Sequence, residues 1–159
     1  MSDLKSIIQN KFNNESFSGN GSLQALSKKG IEQFNELGVP TVKHEEWKYT
    51  RMSGVLNKEF SYANNLTAVT KNDVDGFRLP GNKEANELVF VNGIYHAELS
   101  TIRSSADELV IMPLREAVKS EYKSIVDNNL GHSANYHTDG INALNNAFAH
   151  NGLLIAVKK

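Results

Sequence analysis

Gly38-Val39-Pro40, followed by Lys43-His44-Glu45-Glu46-Trp47-Lys48-Tyr49-Thr50, is the stretch whose reading decides the fold. Gly38 has no Cβ and tolerates the positive φ of a helix C-cap, and Pro40 lacks the N–H that a continuing helix needs. The pattern predicts a helix stopping at Gly38 and a new short element beyond it. Glu45 and Glu46 suit the first turn of that element, where carboxylates meet unpaired N–H groups, so a short helix is expected over Glu45 to Leu56. Trp47, the only tryptophan, and Tyr49 are expected to cover core edges while keeping an N–H and an O–H near water. The block reads as an anchor and not as an active site. Glu45 and Glu46 are adjacent, so they cannot face each other across a cleft as a general acid and base do.

Upstream, Leu4, Ile7, Ile8 and Phe12 have helical spacing, interrupted by Asp3, Lys5, Gln9 and Lys11, which is too polar for a signal peptide. Asn13 to Gly21 is a polar run. Ser22 is expected to cap an amphipathic helix with Leu23, Leu26, Ile31, Phe34 and Leu37 on its apolar face. Downstream, Asn57 to Asn86 carries only scattered apolar residues and is expected to be irregular. Leu88 to Val91 and Ile94 to Ala97 flank Asn92-Gly93, a dipeptide suited to the type I′ turn of a β-hairpin. Leu109-Val110-Ile111 reads as a third strand. Pro113 is expected to open a helical stretch with Leu114, Ala117, Val118, Ile125 and Val126 on one side, broken near Ser120. Thr138 or Asp139 caps a helix through Ile141, Leu144 and Phe148 that Asn151-Gly152 ends, and Leu153 to Val157 forms a last strand buried on both faces.

The chain has 159 residues, 40% of them hydrophobic, enough for one domain with a core: residues 1–60 mainly helical, and 88–159 a hairpin, helices and a terminal strand. A net charge of -1 with both signs interspersed offers no basic stripe for nucleic acid, and no membrane span appears. A cytoplasmic location is expected, and the glycosylation patterns at Asn14, Asn20 and Asn65 are then fortuitous. With no cysteine, disulfides and thiolate ligands are excluded within the chain.

Candidate chemistry is sparse. The histidines are His44, His96, His132, His137 and His150, and only His132 and His137, with Asp139 nearby, suggest a partial divalent-ion site. Loop and capping roles for all five are the competing reading. Gly19-Asn20-Gly21 lacks the further glycine or Gly-Lys-Ser/Thr of a nucleotide loop. Ser53 with His96 lacks a strained nucleophile turn, so no enzyme is expected and no catalytic, cofactor or metal residue is assigned.

The Trp block resembles the N-terminal signature of the SufB/SufD family of the SUF iron-sulfur cluster assembly system, on its SufD side. Leu88-Val89-Phe90-Val91-Asn92-Gly93-Ile94-Tyr95 and Leu144-Asn145-Asn146-Ala147-Phe148-Ala149, followed by Gly152, agree in order and spacing. The resemblance spans about residues 35 to 157 and is loose between Ser61 and Glu87. It implies an α+β chain in which N-terminal helices, short strands and further helices lead into the first strand of a right-handed parallel β-helix, truncated here. It also implies a scaffold subunit acting with SufB and SufC, with the family's working residues beyond Lys159; from the residues themselves no cofactor is expected. The apolar run ending two lysines before the terminus is expected to lack a partner strand and to allow self-association. Two alternatives stand beside this reading: a stand-alone interaction module that recruits partners by strand addition, and a metal-dependent enzyme built on the histidines.

Overall fold

The computed structural model describes residues 4–14, 21–56, 68–133 and 137–158. In chain order these form α1 (Leu4–Asn14), α2 (Ser22–Leu37), α3 (Ser53–Leu56), α4 (Lys71–Asp75), β1 (Phe90–Val91), β2 (Ile94–Tyr95), β3 (Leu109–Pro113), α5 (Leu114–Ala117), α6 (Lys123–Asn129), α7 (Gly140–Ala147) and β4 (Leu153–Val157), with single 3₁₀ turns at Glu45–Trp47, Asn82–Glu84 and Ala149–Asn151. They group into two compact units, residues 1–60 with 118–150 and residues 61–117 with 151–159. The class is α+β, with helices first and two small antiparallel sheets.

The first unit is built on α2 and α7. In α2 the buried residues Leu23, Leu26, Ser27, Gly30, Ile31 and Phe34 recur at three- and four-residue spacing, which places them on one helical face. Phe34 is fully buried in a cluster with Ile8 of α1 and Ala143 and Ala147 of α7, and Phe12 meets Phe148 edge-on with ring centroids 6.0 Å apart. Burial of a side chain the size of Phe34 contributes about 1.5–3 kcal/mol. Close approach of the two helices depends on small residues. A Cβ on Gly30 would lie 2.5 Å from the Ala147 nitrogen and 2.8 Å from the Ala143 oxygen.

The expected caps are realised with changes. Gly38 ends α2 at φ 67°, its N–H bonding the Phe34 carbonyl at 2.7 Å. At the other end Ser22 is not the N-cap. Gly21, at φ 89°, holds that position and Ser22 is the first helical residue. The helix expected over Glu45 to Leu56 is instead one 3₁₀ turn followed by the four-residue α3. The break expected near Ser120 separates α5 from α6, but Pro113 closes β3 instead of opening the helix. Helix α7 stops at Ala147, earlier than Asn151-Gly152, and yields to the 3₁₀ turn. In α6, Lys123 pairs with Asp127 one turn on, and this ammonium lowers the Asp127 pKa.

In the second unit the Asn92-Gly93 hairpin forms with φ of 50° and 78°, the two positive values a type I′ turn requires. Its strands are two residues each, continued by the His96 N–H to Val89 carbonyl bond at 2.8 Å and by paired Glu87–Thr101 backbone bonds of 2.7 and 2.8 Å. Of the stretch expected to be irregular, residues 57–67 lie outside the described residues. The remainder contains α4, closed by a capping box in which Thr70 and Asp73 bond each other reciprocally. The Thr70 hydroxyl and N–H both donate to the Asp73 carboxylate and hold its pKa below 3.8. Arg78 then ties this segment to the hairpin base through two nitrogens on Glu87, at 2.9–3.1 Å, and pairs with Asp75.

The last strand corrects the expectation of an unpartnered, doubly buried edge. β4 pairs antiparallel with β3 over five residues, from Leu109 opposite Val157 to Pro113 opposite Leu153, while Ile155 and Val157 are 55% and 79% exposed. Neither sheet is parallel, and among the described residues no β-helix is formed.

Candidate functional site

Beyond the buried Pro40, residues 41–52 are exposed except for the half-buried Trp47 and Met52, and Trp47 is the segment's main inward anchor. The anchor point is Asp139, buried at the start of α7. Its Oδ1 accepts the N–H groups of Ile141 and Asn142 at 2.8 and 3.0 Å, satisfying two of the donors a helix start leaves unpaired. Its Oδ2 accepts the Trp47 indole N–H at 2.9 Å. One carboxylate therefore fixes both the helix start and the Trp segment. Beside it the backbones of Gly38 and Gly140 meet so closely that a Cβ on Gly140 would fall 1.8 Å from the Gly38 oxygen. Pro40 is buried next to this contact, and Tyr49, expected to cover a core edge, is instead 91% exposed with Lys48 Nζ 5.6 Å from its ring centroid.

A cleft lined by Gly38, Pro40, His44, Glu46, Trp47 and Asp139 opens at this junction, with about 30 Å³ of space. That admits roughly one or two waters, far from the ~300 Å³ and more of a small-molecule site. The arrangement locks backbone segments together and presents the outer face of the Trp segment to solvent. No chemistry follows from it.

The other candidate residues stay apart. His44 Nδ1 accepts the Thr41 N–H at 3.1 Å and stabilises its own turn. His96 contributes its backbone to the base of the hairpin. His132 and His137 are exposed and flank residues 134–136, which lie outside the described residues, and Asp139 is committed to Trp47 and α7. Among the described residues no three His, Asp or Glu side chains converge to hold a metal. The Ser53 side chain and Gly19-Asn20 lie outside the described residues, and no described helix is long and apolar enough to cross a membrane. Sequence reading kept the Trp47 N–H near water and gave the capping role to Thr138 or Asp139. It missed that the two are partners, although an indole donor and a cap with a second carboxylate oxygen is the available signal.

Residues 9–159 match the family described as the SufBD protein N-terminal region. The Iron-sulfur cluster assembly protein SufD of Escherichia coli (strain K12) is 34% identical over 70 residues, 44% of this chain. The match covers 16% of that relative's own length. With the family matching nearly the whole chain, from α1 through the Trp47–Asp139 junction to β4, the chain belongs to the SufBD family, as its N-terminal region.

Proposed function

We propose that the protein carrying this chain is a SufD-like scaffold subunit that acts with SufB and SufC in iron-sulfur cluster assembly in the cytoplasm. The observation that carries the reading is the family match over residues 9–159, joined to a SufD relative whose name states iron-sulfur cluster assembly. Physical chemistry supports a scaffolding role for this region in place of a cluster-holding one. The chain has no cysteine, so it offers no thiolate to iron, and its best-built junction is a structural lock with space for little more than a water. Non-enzymatic positioning of other subunits is the corresponding proposal for what these residues do.

The test is affinity capture of the tagged protein from its source cells, paired with disruption of its gene. Recovery of SufB and SufC, together with loss of activity in iron-sulfur enzymes but not in metal-free ones, is the expected result. Capture without either subunit and unchanged iron-sulfur enzymes would overturn the proposal.

A second reading, a stand-alone interaction module that associates through its terminal strand, is favoured by the exposed Ile155 and Val157 on β4. An immunoblot of source cells separates the two. A band far larger than a 159-residue chain supports the scaffold subunit, and a band at that size supports the module.

A further inference from the structure

We infer that Asn92 is a site of spontaneous modification, at which deamidation through the Gly93 nitrogen converts the hairpin turn to aspartate and isoaspartate. The chain contains three Asn-Gly pairs, and the two within the described residues stand in opposite settings. Asn92 and Gly93 are both exposed at the tip of β1–β2, a Cβ on Gly93 would meet nothing within 4 Å, and the Gly93 N–H has no backbone acceptor among the described residues. Among the described residues no backbone acceptor therefore shields the nucleophile, and glycine gives the turn its widest range of backbone angles. The turn's resting geometry, with Asn92 at φ 50°, is not itself the reactive one. The strands holding it are only two residues long, so local opening that samples other angles costs little compared with opening a core element.

Asn151 differs. It sits in the 3₁₀ turn Ala149–Asn151, whose helical ψ carries the next nitrogen away from the side chain, and the Gly152 carbonyl is held by the Leu114 N–H at 2.9 Å. Gly152, which carries the attacking nitrogen, is thereby held through its own carbonyl against the start of α5.

The step balances without an oxidant or a cofactor. The Gly93 amide nitrogen loses its proton and attacks the Asn92 Cγ; the new C–N bond closes a five-membered succinimide as the Cγ–Nδ2 bond breaks, and ammonia leaves with that proton. Water then opens either carbonyl. Opening at the side-chain carbonyl gives aspartate. Opening at the main-chain carbonyl gives isoaspartate, which routes the chain through an extra methylene. A two-residue turn has no slack for that insertion, so the Val91–Ile94 pairing is lost and a new negative charge appears at the tip.

The purified full chain, held in warm, mildly alkaline buffer and sampled over time, is mapped by mass spectrometry with fragmentation that separates aspartate from isoaspartate. Asn92 is expected to convert several-fold faster than Asn151 in the folded chain, and the two are expected to convert at similar rates in urea. Replacement of Gly93 by Ala is expected to slow conversion at Asn92 in urea, where the strain of a positive φ no longer matters. Asn92 remaining an amide in the folded chain, over the time in which it converts in urea, would overturn the inference. So would faster conversion of Asn151 than of Asn92 in the folded chain.

Discussion

Removing the indole N–H while keeping an aromatic ring isolates the contribution of Trp47. Trp47→Phe leaves Oδ2 of a buried carboxylate without its donor, and loss of a hydrogen bond to a charged group is worth about 1.5–3 kcal/mol. Asp139→Asn keeps an oxygen for the cap but turns an amide donor toward the indole, so the cap survives while the Trp bond does not. Both single variants should therefore lower the urea midpoint, and the double variant should lose less than their sum, with a coupling of about 0.5–3 kcal/mol. Strict additivity, read by circular dichroism, would mean that the contact contributes nothing. Tyr49→Ala, by contrast, is expected to change stability by no more than about 0.5 kcal/mol, because the side chain is almost wholly exposed. At this scale the sequence was only partly legible. The cap at Asp139 and the stop at Gly38 follow from local backbone chemistry. The Trp47–Asp139 pairing spans 92 positions, which no local rule reaches.

The contact of α2 with α7 turns on one substitution in which two effects oppose each other. Gly→Ala inside a helix ordinarily stabilises by about 1 kcal/mol. At Gly30 the added methyl would collide with backbone atoms of α7 at 2.5–2.9 Å, and overpacking against atoms that cannot rotate away costs about 1–3 kcal/mol. Gly30→Ala is therefore expected to destabilise the purified chain, and a raised thermal midpoint would show that the helices separate without penalty. Helix α4 gives the pH counterpart. Thr70 favours the ionised form of Asp73, so the folded pKa lies below the unfolded value of 3.8. The capping contribution is fully present above 3.8 and is lost as pH falls through the lower folded value. An NMR titration of the Asp73 carboxyl carbon should show a midpoint below 3.8 that moves back toward it in Thr70→Ala; equal midpoints would remove the capping box as the cause. This box was legible as Thr70-x-x-Asp73, yet the surrounding polar run hid it, because scattered apolar residues reveal a long buried helix and not a five-residue exposed one.

For the whole chain, the question is what the β3–β4 sheet does with two apolar faces. Register places Leu109, Ile111, Pro113, Leu153, Ile155 and Val157 on one side, and alternation places Val110, Met112, Leu154 and Ala156 on the other. A strand run of continuous apolar residues is the signature of burial on both sides, which is why Leu153 to Val157 was expected to be interior. The sequence could not show that β3, some forty positions earlier, would supply the pairing, nor that Ile155 and Val157 would stay exposed. Backbone pairing is thus satisfied along one edge while one apolar face is not. Contact between such faces removes Ile155 and Val157 from water at about 25 cal/mol per Å², opposed by the cost of bringing two chains together. A face of six side chains is small for a stable dimer, so association is expected to be weak and to rise with concentration. Sedimentation velocity on the 159-residue chain should show a weight-average coefficient that climbs with concentration, and Ile155→Lys should flatten that dependence without lowering the thermal midpoint, because the side chain is already half in solvent. A coefficient independent of concentration, or one unchanged by the lysine, would remove this face as the contact.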